Sequence, residues 1–232
     1  MAKVKKTDKK KEEMFGNSPF TVEQVKAMQK KKVYFATPCY GGNMSYLTAL
    51  GYMTAQQKFY QLGIPWEIQL LSNESLVTRA RNQLAMHFIQ SDCTHLMFVD
   101  ADIGFDGEPI LHMLNSGKDV IGCVYPKKEI NWDFIYQNRN NVKNPKGLQD
   151  YSAAYASNFE LDHRGRPIVE GPFLRTKDLA TGFMLISRKV FLKMMEKWPE
   201  KYYKPDYNIT HYKDPAADHY AFFDCIIDPE SK

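Results

Sequence analysis

The chain has 232 residues, 44% of them hydrophobic and 25% charged, with a formal net charge of +4. This is the balance of an ordinary globular protein, long enough for one sizeable α/β domain and too short for two full ones. No stretch has the uninterrupted apolar length needed to cross a bilayer, and no basic face runs through the folded part, which leaves nucleic-acid binding without support.

Most of the net positive charge sits in the first thirteen residues, where Lys3, Lys5, Lys6, Lys9, Lys10 and Lys11 face only Asp8, Glu12 and Glu13. A short mixed-charge terminus of this kind predicts a solvated tail over residues 1–24 and one folded domain over 25–232. The N-terminus lacks the apolar core and small-residue cleavage site of a secretory signal, so a cytoplasmic protein is expected. Cys39, Cys93, Cys123 and Cys225 are widely separated and form no Cys-x-x-Cys pair. Zinc and redox motifs are therefore unsupported, and free cysteines in apolar runs fit a reducing compartment.

In chain order, a short helix is expected over Thr21–Met28 and a strand over Lys32–Thr37, which runs into a loop at Pro38, Gly41 and Gly42. Ser45 offers an N-cap, apolar residues then recur at helical intervals, and Gly63-Ile64-Pro65 stops the run, so Ser45–Leu62 reads as a helix. Trp66–Leu71 returns as a strand, Ser75–Gln90 has helical periodicity, and His95–Val99 is the continuous apolar run of a strand covered on both faces. This β-α-β-α-β order predicts a mostly parallel sheet with right-handed crossovers and a ligand crevice beyond the carboxyl ends of its strands.

A short helix over Glu108–Ser116 and a buried strand over Asp119–Tyr125 follow. From residue 126 to 150 the apolar periodicity disappears among Asn138, Asn140, Asn141, Asn144 and Gly147. That stretch reads as a long loop, either a lid or acceptor loop or a variable surface excursion. A hairpin is expected around Asp162-His163-Arg164-Gly165-Arg166, then a buried strand over Ala180–Ser187 and a helix over Arg188–Lys197.

The most informative feature is Val99-Asp100-Ala101-Asp102, two acids abutting that apolar run. Strand side chains alternate, so residues two apart face the same way and both carboxylates can converge on one cation. Like charges held together repel unless a cation sits between them, and oxygen donors select Mn2+ or Mg2+. Asp-x-Asp alone is common in solvated turns; its position at the end of a buried strand is what sets this copy apart.

Phe35-Ala36-Thr37-Pro38-Cys39-Tyr40, Thr78-Arg79-Ala80-Arg81-Asn82, Phe98-Val99-Asp100-Ala101-Asp102 and Thr181-Gly182-Phe183-Met184-Leu185-Ile186, in this order over about Lys32 to Phe191, resemble the GT-A nucleotide-diphospho-sugar glycosyltransferases. The resemblance implies a Rossmann-like three-layer α/β/α fold with a mostly parallel central sheet. It also implies transfer of a sugar from a UDP- or GDP-linked donor to a sugar or glycan acceptor hydroxyl, with Mn2+ or Mg2+ as cofactor. By the same resemblance Asp102 is a direct metal ligand, Asp100 contacts the ribose or the metal and its water shell, with Ala101 between them at the donor. Thr37, Pro38 and Tyr40 border the base, and Asn73 and Glu74 are base or ribose contacts. Arg79 and Arg81 point in different directions, so one faces the phosphates and the other makes a surface ion pair.

Inverting members carry a Glu-Asp or Asp-Asp pair after the glycine segment. Here the late acids, with Asp218, Asp224 and Asp228 as the candidate catalytic bases, stand in a different setting, and the sequence stops at Lys232. Either the chain is a fragment expected to continue or the enzyme is built differently. His211 or His219 is a third candidate metal ligand. Two other readings remain: a sugar nucleotidyltransferase, against which the loop Pro38–Asn43 has no lysine or arginine, and a GT-A-like domain that binds nucleotide without turnover.

Overall fold

The computed structural model describes residues 18–155, 157–204 and 219–225. Helix α1 (Val22–Gln29) opens it, capped by Thr21 in a reciprocal box with Gln24. The order continues β1 (Val33–Cys39), α2 (Tyr46–Leu62), β2 (Trp66–Ser72), α3 (Val77–Gln90), β3 (His95–Val99), α4 (Gly107–Asn115) and β4 (Val120–Gly122). These follow the expected elements closely, except that β4 is shorter. The Lys-rich segment 1–17 lies outside the described residues, and the region expected as tail over 1–24 already contains the start of α1.

The stretch expected as a loop over 126–150 carries structure of its own. It contains β5 (Pro126–Ile130), α5 (Trp132–Asn138) and the start of a 3-10 turn over Pro145–Tyr151. All five residues of β5 are exposed and α5 buries none, so neither leaves an apolar period in the sequence. Then come β6 (Ala153–Tyr155), β7 (Ser157–Phe159), β8 (Val169–Glu170), β9 (Phe173–Leu174), β10 (Thr176–Leu179), β11 (Phe183–Ser187), α6 (Arg188–Lys197), β12 (Tyr202–Tyr203) and β13 (His219–Tyr220). The hairpin expected at Asp162–Arg166 is present: the Asp162 amide donates to the Arg166 carbonyl at 2.8 Å and Leu161 bridges to Pro167.

The sequence reading of one domain over 25–232 meets a chain that divides into two compact units, Met1–Ile121 with Leu185–Lys232, and Gly122–Met184. The second unit is built from short antiparallel pairs, β5 with β6, β7 with β10 and β8 with β9.

The principal sheet is a five-stranded mixed sheet in the order β2-β1-β3-β11-β4. Its parallel part is β2-β1-β3, with Val33 of β1 level with both Trp66 and His95. Because β1 sits between β2 and β3, the chain leaves β1 toward one side and returns on the other. The crossover direction therefore reverses beside β1, and a crevice opens there at the carboxyl ends.

Phe35 on β1 packs against Phe59 at 5.5 Å, Tyr52 at 5.7 Å and Trp66 at 5.9 Å between ring centroids, which seats α2 on the sheet. Phe88 of α3 meets Phe191 of α6 at 5.6 Å, and Phe98 of β3 meets Phe223 at 5.2 Å. Each fully buried ring contributes about 2 kcal/mol of transfer free energy. Gly107 lies so close to α2 that a Cβ would come within 2.5 Å of the Ala55 Cα, so only glycine allows α4 to pack there.

Candidate functional site

Strand β3 ends at Val99, and Asp100-Ala101-Asp102 forms the turn that follows it, closed by the Ile103 amide donating to the Asp100 carbonyl at 3.2 Å. Strand alternation therefore does not orient the two acids; the turn does. That turn is tied to the start of α2. The Ser45 amide donates to the Ala101 carbonyl at 2.7 Å, and the buried Thr48 hydroxyl reaches the carbonyls of Ala101 at 3.0 Å and Ile103 at 2.9 Å.

Asp100, Ala101 and Asp102 line one cleft of about 500 Å3 together with Pro38 near the end of β1, Tyr40 just after it, Asn43 to Ser45 before α2, and Glu74 after β2. Loops following all three parallel strands thus converge where the topology places a crevice. Asp102 is exposed, and Asp100 is half-buried and accepts a 2.6 Å ion pair from Arg81 Nη2. Arg81 is itself buried on α3, its guanidinium 5.0 Å from the centre of the Phe98 ring. A cation held in this apolar seat fixes the rotamer of Asp100 from behind.

Glu74 is gripped by Arg79 through two bonds, Nε to Oε2 at 2.6 Å and Nη2 to Oε1 at 2.8 Å, and accepts from the Leu76 amide at 3.0 Å. Burial opposes ionisation of this carboxyl, but Arg79 and the backbone amides outweigh it and hold its pKa below the ordinary range. Neither Arg79 nor Arg81 lines the cleft, so the expectation that one faces the phosphates is replaced by two ion pairs, each to a cleft carboxylate.

Thr37 is fully buried and hydrogen-bonded to the Tyr52 hydroxyl, beneath the cleft wall and not in it. Burial pushes the Tyr52 hydroxyl well above its usual range, so it stays protonated. Asn73 is exposed, with a positive φ of 63°, and turns the chain between β2 and Glu74 without lining the cleft. Ser45, Asn43 and Met44 were legible only as a helix start and a loop; their place in the wall depends on how α2 is seated.

Among the late candidates, Asp224 is exposed and accepts from Asn82 Nδ2 at 3.2 Å, while Asn82 Oδ1 accepts from the Phe223 amide at 2.9 Å. It is therefore anchored beside Arg81 on α3, outside the lining of the cleft. His219 is fully buried, level with Tyr203 in the β12–β13 pair and 5.6 Å from its ring centre, so it does not reach the cleft as a metal ligand. Asp218, Asp228 and His211 lie outside the described residues.

Oxygen donors on the cleft wall include the Asp100, Asp102 and Glu74 carboxylates, the Asn43 amide and the Ser45 and Ser75 hydroxyls. Such a set fits Mn2+ or Mg2+, with Asp102 and Asp100 as holders, because Arg79 engages both oxygens of Glu74 whereas Arg81 engages Oδ1 of Asp100. A second acidic group lies at the opposite end of the sheet, where ligand atoms of Glu67, Asp92 and Cys93 fall within 4.8 Å of one another. Lys32 Nζ contacts Glu67 and Asp92 there at 2.5 Å each, so a cation of the chain's own already serves this cluster.

No family model matches the chain, and none of the curated proteins matches it. The functional reading rests on the geometry of the cleft.

Proposed function

We propose that the chain is a GT-A-type glycosyltransferase, three-layered α/β/α in architecture, which moves a sugar from a UDP- or GDP-linked donor to a glycan hydroxyl. The observation that carries this reading is the convergence of Asp100 and Asp102 with the loops after β1 and β2 on one cleft at the point where the crossover direction reverses.

When bound, Mn2+ or Mg2+ at Asp100 and Asp102 supplies neutralisation of the charge that gathers on a departing nucleoside diphosphate. The chain's own residues do the rest. Arg81 orients Asp100, and the Ser45 and Thr48 bonds hold the turn between the acids. The Tyr40 ring, 72% exposed on the cleft wall, offers its face to a planar base. Glu74 shapes the wall with its carboxylate occupied by Arg79.

Among the described residues no lysine or arginine lines the cleft, which weighs against a triphosphate-gripping nucleotidyltransferase. No carboxylate beyond Asp100, Asp102 and Glu74 lines it either, and this favours, as a second reading, a domain that binds nucleotide without turnover. Calorimetry with UDP and GDP, with and without Mn2+, followed by a donor-hydrolysis assay, separates them. Metal-dependent binding with hydrolysis is expected. Binding without hydrolysis points to the second reading, and nucleotide affinity indifferent to Mn2+ overturns both.

A further inference from the structure

Among the described residues strand β2 ends the principal sheet, and its seven residues run in unbroken register with β1. Monomeric proteins blunt such edges with lysines, prolines, bulges or short strands. Trp66-Glu67-Ile68-Gln69-Leu70-Leu71-Ser72 uses none of these devices. Its one charge, Glu67, is tied to Lys32.

The side chains beside this edge are apolar as well. Ile68 and Leu70 are 42% and 48% exposed, and Ile68 is level with Phe35, so both lie on the face that α2 covers. On α2, Tyr46, Leu50, Met53 and Tyr60 fall on one stripe, opposite the buried Thr48, Gly51, Ala55 and Phe59. Tyr60 is 85% exposed and Met53 64%. Met53, Gln56, Gln57 and Tyr60 line a shallow hollow of about 350 Å3 with Trp66, which makes the helix flank and the strand edge one surface.

We propose that this surface is the interface of a symmetric dimer of the chain. An edge strand paired antiparallel with its own copy, about a two-fold axis perpendicular to the sheet, gives one continuous sheet. It brings the two α2 flanks together on the same side, Met53 and Tyr60 of each against those of the other. The contact is isologous and closes, so it satisfies the bare edge without propagating into fibres. Leu50, Met53, Tyr60, Ile68 and Leu70 are each between 42% and 85% exposed, and with the strand backbone they offer an area of the order of the ~800 Å2 per partner of a stable interface.

Sedimentation velocity and light scattering on the full chain, from low to high micromolar concentration, test the assignment. The expected mass is twice 26.9 kDa. Met53→Glu with Tyr60→Glu, and separately Ile68→Lys with Leu70→Lys, should each weaken association by about a hundredfold. Circular dichroism checks that they fold, and the helix pair keeps the test decisive should the strand pair misfold. A wild-type mass of 26.9 kDa throughout overturns the proposal. So does a dimer that the helix pair leaves intact, or β2 amides protected from exchange in a species of monomer mass, which places another segment of the same chain on the edge. Nucleotide binding is read separately, so either idea can fail alone.

Discussion

The two ends of the same parallel strands are finished in opposite ways. At the amino end the chain closes on itself. Lys32 joins Glu67 and Asp92, and the Thr94 amide and hydroxyl both reach the Lys32 carbonyl. The Arg188 guanidinium donates to the carbonyls of Phe88, Ile89, Ser91 and Cys93 between 2.7 and 3.0 Å, capping the last turn of α3. At the carboxyl end the loops spread apart around a cleft walled by carboxylates. Cations there stand behind the acids and hold them without covering them. Polar groups paired within the fold stabilise it, whereas solvated polar groups on a cleft wall add little to stability and stay available to a ligand.

Breaking the closed end should give the largest effect. Arg188→Ala removes four hydrogen bonds at once and is expected to cost about 3 kcal/mol of stability, measured by urea denaturation, with no separate effect on nucleotide affinity of the folded fraction. At the open end the signs exchange. Asp102→Ala should leave the melting temperature within a degree or two of the parent's, since Asp102 is exposed, while lowering Mn2+-dependent nucleotide affinity about a hundredfold by calorimetry. Equal stability losses in the two variants would erase the contrast.

Arg81→Met sharpens it. The apolar seat on Phe98 is kept but Asp100 loses its partner, so metal-dependent affinity should fall about tenfold. Arg79→Met, which releases Glu74, should change it less.

The closed end should also show a pH dependence. Burial, helped by Lys31 and then Lys189 and opposed by Asp119, pushes the His95 imidazole down to about 4. Its folded pKa lies below the unfolded value of about 6.5, so on acidification the unfolded chain takes up the proton first. The stability tied to neutral His95 is present above about 6.5 and drains away as pH falls toward about 4. His95→Gln should flatten that part of the melting temperature against pH profile; an unchanged slope assigns it to other groups.

The elements that carry the cleft were legible because each buries a regular face. β1 and β3 are continuous apolar runs, and α2 opens on Ser45 and closes on Gly63 at a φ of 65°. Asp100 and Asp102 stood out because acids rarely abut such a run. The 126–150 stretch was illegible for the converse reason, since its strand and helix expose every residue or nearly so. The roles of the arginines could not be read either. Arg81 meets Asp100 across 19 positions and Arg188 meets Phe88 across 100, and no local period reports such pairs.

By itself the sequence determined the order of strands and helices from α1 to β4, the central place of the apolar runs and the presence of two acids at the end of one of them, all consequences of short-range periodicity and capping. Tertiary structure alone decided that β2 would lie at the edge, that a turn and not a strand would aim the acids, and that Arg81 and Arg79 would stand behind the cleft. Those outcomes depend on which distant surfaces pack together, and packing is settled by the whole core at once.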